Sequence, residues 1–415
     1  LRSSRQPICR HRTKARRRFM SSYRNFLAKP TAPYLIIIST VSLLSGLGLL
    51  MVLSSSSVKS FEQTGSTYSI FLKQLFFLAI ALTLTYVASR VKMDIWEKLA
   101  KISIPLSVVG LILPQLPVIG REINGNKSWI GIGPFTLQPA EFAKLCLILF
   151  CAYRLKKFEE RVALNPARTH TPWQLLAYIL PGAGLLVLMI MLGKDLGTAL
   201  IVMSIAAAMI FISGVPFRHF ATIAILGAGF AAAFIVTQPN RLHRFEAVLH
   251  PFDPQVYKFA GWQTAHSVMG LASGGLFGVG LGASRQKWGN LSEANTDFIF
   301  SVIGEELGLI GTLIILALFA TLIYGIFRTA LHTRDLFSRY ACAGVAIWLL
   351  FQVTVNIASD IGIFPVVGVT LPFISYGGSS LIANFLGIGF VLNVLRKDPE
   401  VRAALSARKA VRGAQ

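Results

Sequence analysis

Apolar residues run along this chain in stretches of roughly twenty, the length an α-helix needs to cross about 30 Å of hydrocarbon. They recur near 31–53, 70–89, 97–117, 137–155, 174–192, 196–213, 219–237, 300–327, 338–358 and 376–395. Polar and charged residues gather in the short breaks between them. The pattern predicts an all-α polytopic membrane protein of about ten transmembrane helices.

One stretch does not fit the pattern. AHSVMGLASGGLFGVGLGAS, at 265–284, is apolar but glycine-rich, and glycine lowers helix propensity. It reads as a re-entrant or interfacial segment inside a large loop, 238–297, between the seventh and eighth spans. Irregular backbone at membrane depth is tolerated only against protein or a water-filled cavity, so this segment hints at a site.

Composition supports the membrane reading: 54% of residues are hydrophobic and only 14% charged, with a mean hydropathy of +0.62. The formal charge of +22 would suit nucleic acid if it were clustered on a folded surface. Instead, residues 1–29 carry ten Lys or Arg and no acid, a composition that cannot bury a core. That tail is expected to be disordered, with no nucleic-acid function, and the span after it is too long for a cleavable signal peptide.

Counted from an inside N-terminus, the breaks on the cytoplasmic side hold Arg90, Lys92 and Lys98, then Arg154, Lys156, Lys157, Arg161 and Arg168, then Arg218, and finally Arg328, Arg334 and Arg339. This is the positive-inside bias. The tail 398–415 is also basic, which places both termini in the cytoplasm and requires an even number of spans. The membrane domain is then 30–397. Cys9 lies in the tail, while Cys146, Cys151 and Cys342 lie in spans, so neither disulfides nor cysteine-bound metals are expected. No 20–50-residue repeat or inverted repeat is evident.

Ionisable groups at a membrane boundary are informative because each costs at least about 2.5–3.5 kcal/mol at mid-helix. In QPAEFAK, Pro139 and Glu141 suit a helix start, and Lys144 lies a turn deeper, either paired with Glu141 or facing a polar cavity. In GKDLGTA, Lys194 and Asp195 occupy a short outer turn, either solvated or positioned to contact an anion. In SEANTDFIFSVIGEELG, Asp297 either complements the dipole of a helix that continues past Glu305 and Glu306, or is a carboxylate of raised pKa able to accept a proton. LPFISYGGSS, at 371–380, breaks the tenth span and exposes backbone donors. No HExxH, paired CxxC, Walker loop or GxSxG occurs, so metalloprotease, nucleotidase and serine-hydrolase readings lack their residues.

Taken together, SWIGIGPFTLQPAEFAK, GKDLGTA, GWQTAHSVMGLASGGLFGVGLG, TDFIF with IGEELG, and LPFISYGGSS resemble the SEDS family (shape, elongation, division and sporulation) from residue 31 to about 397. The wording lies closer to its division branch than to its elongation branch. Two departures stand out: LSEANTDFIF carries Ser292 and Asn295 where the family often has Pro and His, and Lys127 precedes Ser128-Trp129 where it often has Ser-Arg-Trp.

The resemblance implies a glycosyltransferase that polymerises lipid II at the outer face of the bacterial cytoplasmic membrane. Its implied partners are a class B penicillin-binding transpeptidase and other divisome proteins, and Asp297 falls on the family's essential aspartate. A carboxylate base suits a poorly nucleophilic sugar hydroxyl, and the pyrophosphate leaving group calls for cations. The candidate substrate contacts are Lys127, Trp129, Glu141, Lys144, Lys194, Asp195, Arg285, Ser375 and Ser379. A divalent cation, Mg²⁺ or Mn²⁺, could share the charge; no organic cofactor is expected. A lipid II flippase and a non-catalytic divisome scaffold are the alternatives.

Overall fold

The computed structural model describes residues 29–123, 125–133, 135–164, 172–219 and 246–413, with 221, 222, 224, 225 and 229 between them. Nine of the apolar runs coincide with helices: α1 (Ala32–Thr64), α2 (Ser69–Ala88), α3 (Met93–Ile112), α4 (Pro139–Leu164), α5 (Pro172–Leu192), α6 (Leu196–Ile212), α8 (Ile299–His332), α9 (Leu336–Asp360) and α10 (Gly378–Lys397). The run at 219–237 and the basic tail at 1–28 fall largely or wholly outside the described residues. Among the described helices, α1, α2, α5, α8, α9 and α10 are long and apolar enough by themselves to cross a bilayer. A further helix, α11 (Pro399–Gly413), follows α10.

Local chemistry sets the helix ends. Pro33 sits in the first turn of α1, where its missing N–H is no loss, and Gly65 closes the helix in left-handed backbone at φ 70° with its N–H on the Phe61 carbonyl. Asp195 caps α6, its carboxylate accepting from the Thr198 N–H at 3.0 Å.

The innermost helices are α9 and α10, whose most apolar windows are 72% and 89% buried, so their polar side chains face other protein rather than lipid. Small residues bring α10 against α2: a Cβ on Gly389 would lie 2.7 Å from that of Ala88. Asn393 locks the contact by donating to the carbonyls of Ala88 and Val91 at 2.8 and 2.6 Å.

Between α3 and α4 lies a three-stranded antiparallel meander that the apolar-run pattern did not predict: β1 (Gly120–Ile123), β2 (Asn126–Ile132) and β3 (Phe135–Leu137). Arg121 pairs with Trp129, and Gly131 with Thr136. Its tight turns use Gly125 and Gly133, both at positive φ.

The glycine-rich segment is helical only in its first half, α7 (Trp262–Ser273). The remainder threads a break in α8 at Gly308, where φ is 69° and ψ −169°. The break frees main-chain groups, and the segment takes them up. Val279 and Gly280 donate to the carbonyls of Glu305 and Glu306 at 2.9 and 3.1 Å, while Leu309 and Ile310 donate to those of Gly275 and Leu276 at 2.9 and 3.2 Å. Backbone polar groups are thus satisfied within the protein, as a non-aqueous surrounding demands.

Gly278 makes this interlock possible, since a Cβ there would lie 2.1 Å from the Glu306 carbonyl oxygen at a φ of 80°. Gly278→Ala is expected to destabilise the protein by about 3 kcal/mol through clash and strain. Thermal unfolding in detergent checks this, and an unchanged midpoint would show that the interlock contributes nothing.

Candidate functional site

The elements converge at one end of the bundle: the segment ahead of α8, the extended chain 361–377 between α9 and α10, and the starts of α4, α6 and α10. Two glutamates in the first part of α8 anchor the approach to it. Glu305 accepts from the N–H groups of Arg285 and Gln286 at 3.0 and 3.4 Å and from the Ser284 hydroxyl at 2.5 Å. Glu306 pairs with buried Lys287 at 3.5 Å and accepts from Ser54 of α1 at 2.6 Å. These carboxylates therefore fix the loop from below.

Asp297 lies in the loop ahead of α8, and three consecutive carbonyls at this point are each gripped from α9 or the 361–377 chain. The Tyr376 N–H donates to Asn295 at 2.9 Å, the Ser375 hydroxyl to Thr296 at 2.5 Å, and the Asn356 amide to Asp297 at 2.7 Å. The Asn356 amide also donates to the Val369 carbonyl at 2.7 Å, tying both walls together. The backbone of Asp297 is fixed, yet among the described residues its half-buried carboxylate accepts no hydrogen bond and forms no ion pair.

That carboxylate borders a small cleft with room for about one water molecule, which Asn356, Asp360 and Gly368 also line. A Cβ on Gly368 would come within 3.5 Å of Asp297 Oδ2, at a φ of 72°. Burial, reinforced by the carboxylates of Glu293 and Asp195 and opposed by Lys59, pushes the Asp297 carboxyl up to about 7. An ionisable group tuned to neutral pH and left without a partner is equipped to accept a proton.

Asp195 is less free. Its Oδ2 accepts from Gln138 at 2.6 Å and from the Thr198 hydroxyl at 2.9 Å, and burial raises its pKa despite these donors. Ser379, at the start of α10, accepts from the Gln138 N–H at 2.8 Å, so the starts of α4, α6 and α10 are pinned to each other. Gly197 completes this junction, with a Cβ there lying 2.2 Å from the Val367 carbonyl.

Lys144 is only 1% exposed. Its Nζ contacts both Glu141 oxygens at 2.9 Å and Gln352 Oε1 at 3.0 Å, and sits 5.2 Å from the centre of the Trp348 ring. Gln352 in turn donates to the Thr370 carbonyl at 2.9 Å, which carries the network to the same extended chain that holds Asp297.

The other cations named from the sequence lie outside the Asp297 cleft. Lys127, on β2, is exposed and 3.9 Å from Glu122. Lys194 is exposed at a positive φ of 62°, and a Cβ on its neighbour Gly193 would lie 3.2 Å from the Lys127 carbonyl, so the two lysines share one rim. Arg285 is exposed and Trp129 half-buried.

Sequence reasoning did not single out Lys59, which pairs with Glu293 at 3.6 Å, or Gln352, Asn356 and Asp360. The last three left a signal: a spacing of four along an apolar run puts polar groups on one helix face.

Known proteins resemble this chain over most of its length. A family model covering FtsW, RodA and SpoVE, described as "Cell cycle protein", matches residues 34–400. The chain belongs to the FtsW/RodA/SpoVE family. Among its relatives, the Coxiella burnetii protein named "Probable peptidoglycan glycosyltransferase FtsW" is 40% identical, over 86% of this chain and 95% of that one. Stage V sporulation protein E of Bacillus subtilis is 34% identical, over 89% and 98%.

Solved structures agree with this assignment. A chain from a peptidoglycan synthase complex that coordinates polymerization and crosslinking superposes with a TM-score of 0.70 at 29% identity, covering 87% of this chain and 96% of that one. The rod shape determining protein RodA of Thermus thermophilus gives 0.62 at 29% identity, over 90% and 99%.

Proposed function

We propose that this protein is a peptidoglycan glycosyltransferase that joins lipid II into glycan strands at the outer face of the bacterial cytoplasmic membrane during septal wall synthesis. Asp297 carries the reading: its carboxylate is unpartnered and its pKa is raised to about 7, on a backbone held by three hydrogen bonds. The names of the family relatives and the solved synthase complex support the same chemistry. The basic breaks support a topology with both termini in the cytoplasm and the Asp297 end outside.

Asp297 takes the proton of the acceptor sugar hydroxyl as its oxygen bonds to the anomeric carbon of the donor, and the bond from that carbon to the lipid pyrophosphate breaks. The pyrophosphate leaves as an anion and needs no second carboxylic acid. Lys127, Lys194 and Arg285, exposed around the cleft's end of the molecule, are the cations available to it, with Lys59 nearer Asp297.

Among the described residues no three His, Cys, Asp or Glu side chains converge to cage a metal. A divalent ion, Mg²⁺ or Mn²⁺, would come bound to the substrate pyrophosphate with mostly phosphate and water ligands. A class B penicillin-binding transpeptidase and other divisome proteins are the proposed partners.

The test is glycan polymerisation from lipid II by the purified protein with its cognate transpeptidase. A ladder of polymer is expected, whereas transfer of lipid II across a vesicle membrane without polymer would replace this reading with that of a flippase.

A base must be ionised to act. The rate of polymerisation is therefore expected to rise about tenfold per pH unit below pH 7 and to level off above it, because a raised carboxylate pKa leaves Asp297 protonated on the acid side. Glu293→Gln removes a neighbouring negative charge and frees Lys59, so the acid limb should move to lower pH. A profile flat from pH 6 to 8, or a limb that moves upward in the variant, would remove Asp297 from the rate-determining chemistry.

A further inference from the structure

At the end of the bundle opposite Asp297, α4 and α5 meet along a seam that the chemistry above does not use. Phe150 fills the gap left by Gly182, where a Cβ would lie 2.7 Å from its ring. One turn on toward that end come Arg154 of α4 and Tyr178 of α5, and two turns beyond Arg154, on the same face, comes Arg161. The Arg154 guanidinium lies 5.2 Å from the centre of the Phe150 ring and 5.9 Å from that of Tyr178. Arg161 lies 5.2 Å from the Tyr178 ring and donates to its hydroxyl. One tyrosine is thus flanked by two guanidiniums, and both arginines are exposed.

Two like charges held against one ring repel each other unless an anion joins them. The acids at this end are engaged elsewhere: Glu97 and Asp335 meet Lys156 at 2.6 and 3.7 Å, Glu160 meets Lys157 at 2.7 Å, and Glu159 accepts from the Tyr340 hydroxyl. Among the described residues no carboxylate pairs with Arg154 or Arg161. A guanidinium offers five N–H donors, and of these only one, on Arg161, is committed to a side chain of the seam.

Depth narrows the choice of anion. At 1.5 Å per residue, Arg154 lies about 22 Å and Arg161 about 33 Å along α4 from Pro139, so the two bracket the far edge of a hydrocarbon layer of about 30 Å. An exposed arginine just inside that edge reaches for the headgroup layer. On the same face of α5 as Tyr178, Leu185 and Leu188 are 39% and 55% exposed and continue the seam toward the bilayer centre. A soluble anion would answer the arginines and not the leucines, and a zwitterionic headgroup would bring a second cation beside them.

We infer that the α4–α5 seam is a headgroup site for an anionic glycerophospholipid of the inner leaflet, its phosphate held between Arg154 and Arg161 and its acyl chains laid on Leu185 and Leu188. Planar guanidiniums stacked on aromatic rings are preorganised for bidentate contact with phosphate oxygens. The inference is independent of the polymerisation chemistry and takes only the word inner from the topology proposed above.

The test is lipid binding by the full chain in detergent after delipidation, read by native mass spectrometry with phosphatidylglycerol or phosphatidylcholine of the same acyl chains. Wild type is expected to hold phosphatidylglycerol about 10- to 30-fold more tightly, the effect of two arginines at an anionic membrane surface. Arg154→Gln with Arg161→Gln should abolish the preference. Arg334→Gln with Arg402→Gln, which removes the same charge from exposed positions elsewhere at this end, should leave it intact. Arg154→Lys with Arg161→Lys keeps the charge and loses the stacked fork, so it should fall between. Phosphatidylglycerol should also raise the thermal midpoint of wild type more than that of the lysine pair, because a ligand of the folded state stabilises it in proportion to its affinity.

A wild type that binds the two lipids equally would overturn the inference, as would equal losses from the two glutamine pairs. A lysine pair that matches wild type would reduce the seam to diffuse charge. Displacement of phosphatidylglycerol by an equal concentration of lipid II would assign the arginines to a lipid pyrophosphate instead. Should the Arg154→Gln, Arg161→Gln pair fail to fold, the lysine pair against the Arg334→Gln, Arg402→Gln pair decides the matter.

Discussion

Asp297→Ala is expected to lower the rate of glycan polymerisation from lipid II by about 10²- to 10⁴-fold, the usual contribution of a positioned general base. The fold should survive the change. What the structure uses from residue 297 is its carbonyl, held by Asn356 at 2.7 Å, and alanine keeps that carbonyl. The side chain itself accepts no hydrogen bond among the described residues, and removing an unpaired carboxyl from a desolvated position does not weaken packing. Asp297→Asn should be as inactive, since it preserves size while abolishing basicity. Thermal midpoints near wild type with polymer lost would assign the chemistry to Asp297. Polymer at wild-type rates from either variant would reduce it to a residue ahead of a helix N-terminus.

The parts of the molecule that sequence reveals best are those governed by one dominant force. Long apolar runs have little alternative to helix in a bilayer, so α8 and α10 could be placed within a few residues, while the run 31–53 finds the start of α1 and stops well short of its end at Thr64. The β1–β3 meander was not legible because its strands are three to seven residues long and their pairing is set by the turns at Gly125 and Gly133. Glu305 and Glu306 were read only as part of a span. Their role as anchors depends on Gly308 breaking α8 and on chain 284–287 arriving beneath it, both of which are tertiary facts.

The candidate site was legible in a similarly uneven way. Asp297 and the Glu141–Lys144 pair were found because ionisable groups are costly near a membrane core. Ser375 and Ser379 were named as substrate contacts, and their hydroxyls instead join main-chain groups that hold the site together. Asn356 and Asp360 escaped notice although their spacing from Gln352 was visible, because uncharged or terminal polar residues in a span are individually unremarkable. Their place beside Asp297 appears only when the cleft is assembled.

Lys144 carries the second large expectation. Replacing it with methionine removes the only cation that contacts Glu141 among the described residues, and leaves a buried carboxylate in a low-dielectric core. Breaking one side of such a pair typically costs about 3–5 kcal/mol, much more than the pair contributes over an apolar substitute. Lys144→Met should therefore lower stability by about that amount, and Lys144→Met with Glu141→Leu should recover most of it, a coupling that a double-mutant cycle in detergent would measure. A single variant as stable as wild type would show that Glu141 takes its proton or its solvation elsewhere.

Activity in the double variant separates two roles that the static geometry joins. Through Gln352 the lysine reaches the Thr370 carbonyl, on the chain that also grips Asn295 and Thr296, so a purely structural Lys144 would let the restored double variant polymerise. Stability restored without polymerisation would mean that the positive charge, deep in the bundle and 1% exposed, acts on the substrate's phosphates in a more open state of the protein.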